Sequence, residues 1–475
     1  MIPGPWSAGS HMVGIHTQRS DASADPTDTT IVNTRVRRKG MKRFLSISLA
    51  LLLVLSIGQA FAGGQDEEGA AEDETITLTM FEYQNVTDES EVAVWDTLLE
   101  RFKELHPNVE FEIDVLFDEA YHNKLQAMAV AQELPDIMFL WPGKRTGAVT
   151  GSGQIKDLRP WLEGHRDEFS PTAMAPQGPN GEIYELPEQV TATHVMFTNE
   201  RLLDELGLEY PETMEELIAQ GEAIRSAGYI PVAMDNGGGW QMQSCLLSAL
   251  VERTGGRDWL MDAVNGDASF TDPEFVDALE VINTLAEEDM LTPGVNQAEY
   301  GQALTDFINE EAVYFIDGGW RVNNLTNSLE AEQKEYMTLN VFPEVPNTRG
   351  QAASTAAVAG TGYGMNADLE GEKAEMAWEW IWFYSGPEGS KIRQAEGALP
   401  AYKLPVPEDA DPMVKKLTEF VNVTPSGYVI DAVLGQEGMA VLQNGIQEMI
   451  LGSLTPEELA TQYENWVAQN EETRL

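Results

Sequence analysis

Three stretches carry residue types that together suit one kind of chemistry: "LWPGKR" (140–145), "DNGGGWQ" (235–241) and "FIDGGWR" (315–321). Each sets a tryptophan just past an apolar run, beside glycine and beside side chains that hydrogen-bond. An indole offers a flat apolar face and one N–H donor. The C–H face of a pyranose ring lies well on such a surface, and nearby Asp, Asn, Gln, Lys and Arg suit its hydroxyls. One such tryptophan could equally be core. Three at equivalent positions point to sugar recognition, with the glycines before Trp320 leaving its ring uncovered for a ligand.

Other chemistry was sought and has little support. No phosphate-binding GxxxxGK[ST], no G-x-S-x-G and no HExxH occurs. "GTGYGMN" (360–366) has half the glycines of a dinucleotide fingerprint but lacks the acidic residue some 20 positions on; its glycines are expected to let a strand cross between lobes. His106, His122, His165 and His194 show no ligand spacing, so no metal or other cofactor is called for. Carboxylates are abundant, but none stands out by an apolar setting, and an enzyme is not the expected reading.

The tryptophans need elements that deliver them to one place. "TITLTMFEY" alternates Ile76, Leu78 and Met80 with threonines, which is strand spacing. A helix follows from about Asp88, with Val92, Trp95, Leu99 and Phe102 on one face, and stops before Pro107. "VEFEIDVL" alternates again, another helix carries Tyr121, Leu125 and Met128, and "PDIMFLW" is the wholly apolar strand of a parallel sheet. Ligands of such sheets bind beyond the C-terminal strand ends. A second alternating block begins near Val195. It contains two helices around Pro211, with Thr213 and Glu216 as a capping box, and the two later tryptophan-ended strands. The segment from about Ser426 reads as helices.

The 475 residues are too many for one compact core. "MKRFLSISLALLLVLSIGQAFA" (41–62) places Lys42 and Arg43 before an apolar run and ends in small-x-small Ala60-Phe61-Ala62. It reads as a secretory signal peptide cleaved after Ala62. Residues 1–40, with "GSHM" at 9–12, are a start-site artefact, a tag or a long basic n-region, and 63–74 is an acidic linker. No cysteine near the cleavage site could take a lipid, and the lone Cys245 allows no intrachain disulfide. Without residues 1–62 the chain keeps 22 basic and 75 acidic side chains, a net −53. Such a surface repels nucleic acid and anionic lipid, and it repels itself. Added salt should therefore raise the melting temperature, as for an exported protein in a saline medium; a steady fall with NaCl would contradict this.

Read in order, "PDIMFLW" (135–141), "GEIYELP" (181–187), "MFTNERLLDELGLEYPETMEEL" (196–217), "FINEEAVYFIDGGW" (307–320), "WFYSGPEG" (382–389), "GALP" (397–400) and "LTPEELATQYENW" (454–466) resemble a family. It is the extracellular solute-binding proteins of ABC importers, family 1, the maltose-binding-protein-like carbohydrate binders. The resemblance spans nearly all of residues 75–470. It implies an α/β, two-lobe periplasmic-binding-protein-like fold (type II) with the ligand cleft between lobes joined by crossing segments near Gln189–His194, Ala357–Gly362 and 403–412. Lobe 1 would comprise 75–191 and 359–405, lobe 2 would comprise 192–358, and 406–475 would return as C-terminal helices to lobe 2. The cleft positions carry over to Glu82, Gln84, Trp141, Lys144 and Arg145, and to Asp235, Asn236, Trp240, Gln241, Asp317, Trp320 and Arg321, with Tyr428 as the aromatic of the C-terminal segment. Met214 stands where the family has a tryptophan and is expected to pack.

The implied function is a monomeric, periplasmic receptor without a lipid anchor. It would close by a hinge on a sugar or oligosaccharide and deliver it to permease subunits, with no nucleic-acid partner. The rivals are a secreted polysaccharide-active enzyme, or the same fold binding a polyamine or other non-sugar solute.

Overall fold

A computed structural model describes residues 75–346, 348–350 and 354–470; the signal-peptide and linker readings lie outside them. Eleven strands run in chain order among the described residues. They are β1 (Ile76–Tyr83), β2 (Val109–Leu116), β3 (Ile137–Leu140), β4 (Leu186–Pro187), β5 (Val190–Thr191) and β6 (Val195–Asn199), then β7 (Ile230–Ala233), β8 (Ala312–Asp317), β9 (Met337–Asn340), β10 (Val358–Ala359) and β11 (Gly362–Met365).

The first sheet has the order β2-β1-β3-β11-β4, with β1 parallel to both neighbours. β3 is buried along its whole length at the centre, whereas β2 exposes Glu110, Glu112 and Asp114, charges that keep an edge strand from pairing further. The helix Glu89–Leu105 begins at Asp88, whose carboxylate accepts from the N–H groups of Ser90 and Glu91, and ends at His106 before Pro107. β11 enters this sheet antiparallel to β3. Its glycines are a packing requirement: a Cβ on Gly362 or Gly364 would collide with the Leu186 or Tyr184 carbonyl. Gly362 and Gly364 thus answer to packing within the sheet rather than to a crossing, whereas Gly360, next to β10, lies against the Gln189 carbonyl.

The second sheet runs β7-β8-β6-β9, with β7 parallel to β8. A ribbon of β5 paired antiparallel to β10 lies where the chain leaves one sheet for the other and comes back. Thr213 caps the helix Met214–Ser226 through the Glu216 N–H, but the Glu216 carboxylate reaches the Glu212 N–H, one residue short of a full capping box. Thr455 and Glu458 form the complete box. Helices that went unread in the sequence include Gly256–Asn265, Pro273–Glu287 and Gln302–Ile308. The helix Pro412–Val423, capped by Asp411, buries Met413, Val414, Leu417 and Phe420 against the second sheet.

The cores are separate. One gathers side chains between Ile76 and Leu186 and between Tyr363 and Ala401. The others gather residues between Ala192 and Phe342 and between Met413 and Val467, with Met214 packed as expected.

Candidate ligand-binding cleft

Because β1 and β3 are parallel, their C-terminal ends leave the first sheet at one edge, and β7 and β8 do the same in the second sheet. Between these ends lies a cavity of about 310 Å3, at the lower end of small-molecule sites (roughly 300–1,000 Å3). Its walls carry Glu82 and Gln84 from the end of β1, Trp141 and Arg145 from beyond β3, Trp240 from beyond β7, and Trp320 and Arg321 from beyond β8. The β5/β10 ribbon closes one side.

The aromatic groups form two facing sets. On the second-sheet side Trp240 and Trp320 sit 6.0 Å apart, Trp320 Nε1 donates to the Tyr300 hydroxyl at 3.0 Å, and the Arg321 guanidinium lies 3.8 Å over the Tyr300 ring. On the first-sheet side Trp141 meets Tyr83 edge-on at 4.7 Å and His122 at 4.5 Å. The three tryptophans are half-buried. Gly318 has a reason different from the one expected: a Cβ there would lie 2.1 Å from the Trp320 ring, so the indole folds back over its own turn.

Several polar atoms on the cavity wall have no partner. They are Gln84 Nε2, Trp240 Nε1, Arg145 Nε, Arg321 Nη2 and His122 Nδ1. An unsatisfied buried donor costs about 1–3 kcal/mol, so these atoms favour whatever fills the space with oxygen acceptors. Glu82 is different: it is 2 % exposed and accepts from the Tyr363 hydroxyl, which in turn accepts from Trp95 Nε1 at 3.3 Å.

Six expected residues lie off this cavity. Asp235 accepts from the N–H groups of Gly301 and Ala303 at 2.9 and 2.8 Å and from Gln241 Nε2, so both side chains hold the turn after β7. Asn236 donates to Asn296 Oδ1 at 2.7 Å. Asp317 pairs with Arg321 at 2.6 Å and steadies that guanidinium from behind. Tyr428 stacks under Arg257 and accepts from it at 2.7 Å, leaving Asp431 and Ala432 of its segment to line the cavity. Lys144 lines a neighbouring cavity. Conversely Tyr300, Glu91, Asn323 and Asp431 line the cleft unforeseen, and His122, set aside for want of ligand spacing, and Trp95, placed on the apolar face of its helix, line it too.

The two halves touch on both sides of the cavity. Ser90 Oγ donates to Asn323 Oδ1 at 3.0 Å and Asn324 Nδ2 to Asp88 at 2.8 Å. Opposite, Glu119 accepts from Gln436 and Gln443, and Arg145 lies 3.7 Å from Asp431.

Residues 87–391, well over half of the chain, match the bacterial extracellular solute-binding protein family. The chain belongs to that family. The multiple sugar-binding protein of Streptococcus mutans serotype c (strain ATCC 700610 / UA159) is 20% identical to this solute-binding protein over 298 residues. That match covers 59% of the chain and 66% of the relative, just under two thirds. A chitin oligosaccharide binding protein superposes with a TM-score of 0.75 at 22% identity, covering 83% of this chain and 99% of the other. The maltose/maltodextrin-binding domain from Bdellovibrio bacteriovorus, bound to maltotriose, gives 0.67 at 17%, covering 84% and 100%. The fold of this solute-binding protein is accordingly the two-lobe type II arrangement.

Acids singled out by apolar settings do exist, contrary to the sequence reading. Burial pushes Glu82 well above the usual carboxylate range and Glu91 up to about 8. Burial also holds His122 well below its ordinary value, which keeps the imidazole neutral. A carboxyl whose pKa rises on folding adds stability that is whole below its unfolded value near 4.5 and lost as pH climbs through about 8. The melting temperature of the ligand-free protein should therefore fall from pH 5 to pH 8.5. Glu91→Gln should remove part of that fall, since Glu82 shifts in the same direction; an unchanged pH profile would show that Glu91 is not enclosed.

Proposed function

We propose that this solute-binding protein captures a sugar or oligosaccharide in the periplasm by closing its lobes around it, and delivers it to the permease of an ABC importer. The observation that carries the reading is the pair of facing aromatic sets, Trp240 and Trp320 against Trp141 and Tyr83, in a cavity with unpartnered N–H donors. Aromatic faces cover the C–H surface of a sugar while the donors meet its hydroxyls. Its multiple sugar-binding relative and the oligosaccharide-binding structural neighbours support the same ligand class.

The lobe limits that fit this reading are 75–191 with 359–405 for lobe 1, and 192–358 with 406–475 for lobe 2. The separation of the cores supports them. Hinge rotation then takes place in the β5/β10 ribbon, and closure buries the ligand while presenting both lobes to the permease. The protein acts as an exported monomer without a lipid anchor and does not turn its ligand over. Micromolar affinity, about −8 kcal/mol, suits scavenging.

Titration with mono- and oligosaccharides, followed by tryptophan fluorescence and by assay of reducing ends, tests this. The expected result is a saturable, reversible change with the saccharide recovered intact. New reducing ends would establish the enzyme instead, and a response to polyamines alone would establish the cation reading.

A further inference from the structure

The carboxyl of Asp118, just past the end of β2, reaches from lobe 1 onto lobe 2. It lies against the backbone of Gly238, where a Cβ would stand 2.7 Å from Asp118 Oδ2. The middle glycine of "NGGGW" (236–240) is thus the room that one lobe leaves for an acid of the other. Lobe 2 offers that acid nothing to bind. Asp118 Oδ1 is buried without a partner, and the charge that lobe 2 sets near it is another carboxylate, Glu299.

The backbone holds the group in this place. Asp118 has φ +59° and ψ −156°, a conformation that glycine adopts readily and other residues do not. An aspartate before a helix ordinarily caps it, yet this side chain makes no cap bond to the helix Glu119–Ala131. The cap is given up and the carboxyl is turned to the other lobe.

Its neighbours divide cleanly between the lobes. Glu119, Arg145 and the uncharged phenol of Tyr83 belong to lobe 1 and act on Asp118 whether or not the lobes meet. Closing adds the Gly238 backbone, which displaces water, and the negative charge of Glu299. Both additions disfavour the ionised carboxyl.

We propose that Asp118 makes closure proton-linked: its carboxyl is ionised while the lobes are apart and takes up a proton as lobe 2 covers it, so that sugar is held more tightly in mildly acidic than in alkaline surroundings. This rests on the closing motion proposed above. In the structure burial, Glu119 and Glu299 push the carboxyl up to about 6, against the opposing pull of the Glu119 N–H and Arg145. A group whose pKa is higher in the closed form favours that form fully below its open value, near 3.8, and loses the effect as pH climbs through about 6. Sugar affinity should therefore fall by about three- to tenfold from pH 5 to pH 8.

Glu82 and Glu91 on the cavity wall titrate as well, so the assignment is read from substitutions outside that wall. Asp118→Asn imitates the protonated carboxyl without needing a proton, and Glu299→Gln removes the like charge from an exposed position on lobe 2. Maltotriose, cellotriose, xylotriose and chitotriose are titrated calorimetrically into the unaltered protein and both variants at pH 5, 5.5 and 8. At pH 5.5 the titration is repeated in acetate and in MES, whose different ionisation heats count the protons taken up. The unaltered protein should take up a fraction of a proton and lose affinity toward pH 8. Asp118→Asn should take up less, lose most of the pH dependence and bind about tenfold more tightly than the unaltered protein at pH 8. Glu299→Gln should lose a smaller part of the dependence, which a merely structural Asp118 does not predict. Asp118→Asn falling with pH as steeply as the unaltered protein, or binding more weakly at pH 8, would overturn the device while leaving sugar binding intact. Failure of every saccharide at every pH would overturn the sugar reading itself, and the device with it.

Discussion

Replacing Trp320 by alanine is expected to weaken sugar binding by about 2 kcal/mol or more, the loss typical of a central aromatic anchor, or roughly thirtyfold in Kd. The ring is half-buried at the cavity wall, and it aligns Tyr300 through its N–H while flanking Trp240. Removing it deletes the platform and frees the Tyr300 hydroxyl. The fold should survive, because Gly318 and the Asp317–Arg321 pair hold the turn without the ring. A buried tryptophan behaves in the opposite way. Trp380, fully buried and away from the cavity, should cost roughly 3–5 kcal/mol of stability when cut to alanine, with binding intact in the folded fraction. Trp95 cannot serve as that control, since it lines the cleft and donates to Tyr363. Paired melting and binding curves decide the matter; Trp320→Ala unfolding like Trp380→Ala, or binding sugar normally, would refute the platform.

A second large effect is expected at Gly143, through closure rather than ligand contact. The residue has φ +72°, and a Cβ on it would stand 2.3 Å from the Ala432 carbonyl oxygen. Residues 143–146 carry Arg145 toward the short helix Ile430–Val433, so this is where the two lobes meet beside the cavity. Gly143→Ala adds overpacking of about 1–3 kcal/mol that is present only when the lobes meet. Sugar affinity should fall by roughly 5- to 150-fold. Stability should drop by only about 1 kcal/mol from the left-handed backbone. Calorimetry beside thermal melts reads both, and an unaltered Kd would mean that the lobes do not need this contact.

The architecture was legible because period and punctuation agree. Thr–Ile alternation in β1, the acid alternation of β2 and the unbroken apolar β3 each permit one placement in a sheet. The tryptophans were legible as well, since an indole beside glycine at the end of an apolar run is an unusual juxtaposition. Polar neighbours were not. Asp235, Gln241 and Asp317 are the residue types that would bind hydroxyls, yet the same types satisfy the buried N–H groups and guanidinium of a strand-end turn. Nothing in the order of residues separates these roles. His122, Glu91 and Trp95 were missed for a different reason: each lies on a helix, and the cavity reaches helix faces that spacing alone assigns to core or solvent. Tyr300 comes from a connecting turn and Asp431 from the one-turn helix Ile430–Val433, and the only signal of either is three-dimensional. The glycines of β11 misled because a close backbone neighbour and a crossing segment call for the same missing Cβ.

Closure of the two lobes on a sugar is the central claim, and small-angle scattering with and without a saturating saccharide tests it most directly. The ligand-free protein should be the more open form, because like charges of a chain carrying −49 repel across an unfilled cleft. Binding should shorten the radius of gyration, and Gly143→Ala should blunt that change at the same saturation. A radius that stays the same when the cleft is demonstrably full would mean that the pocket is preformed, and would contradict a receptor that works by closing.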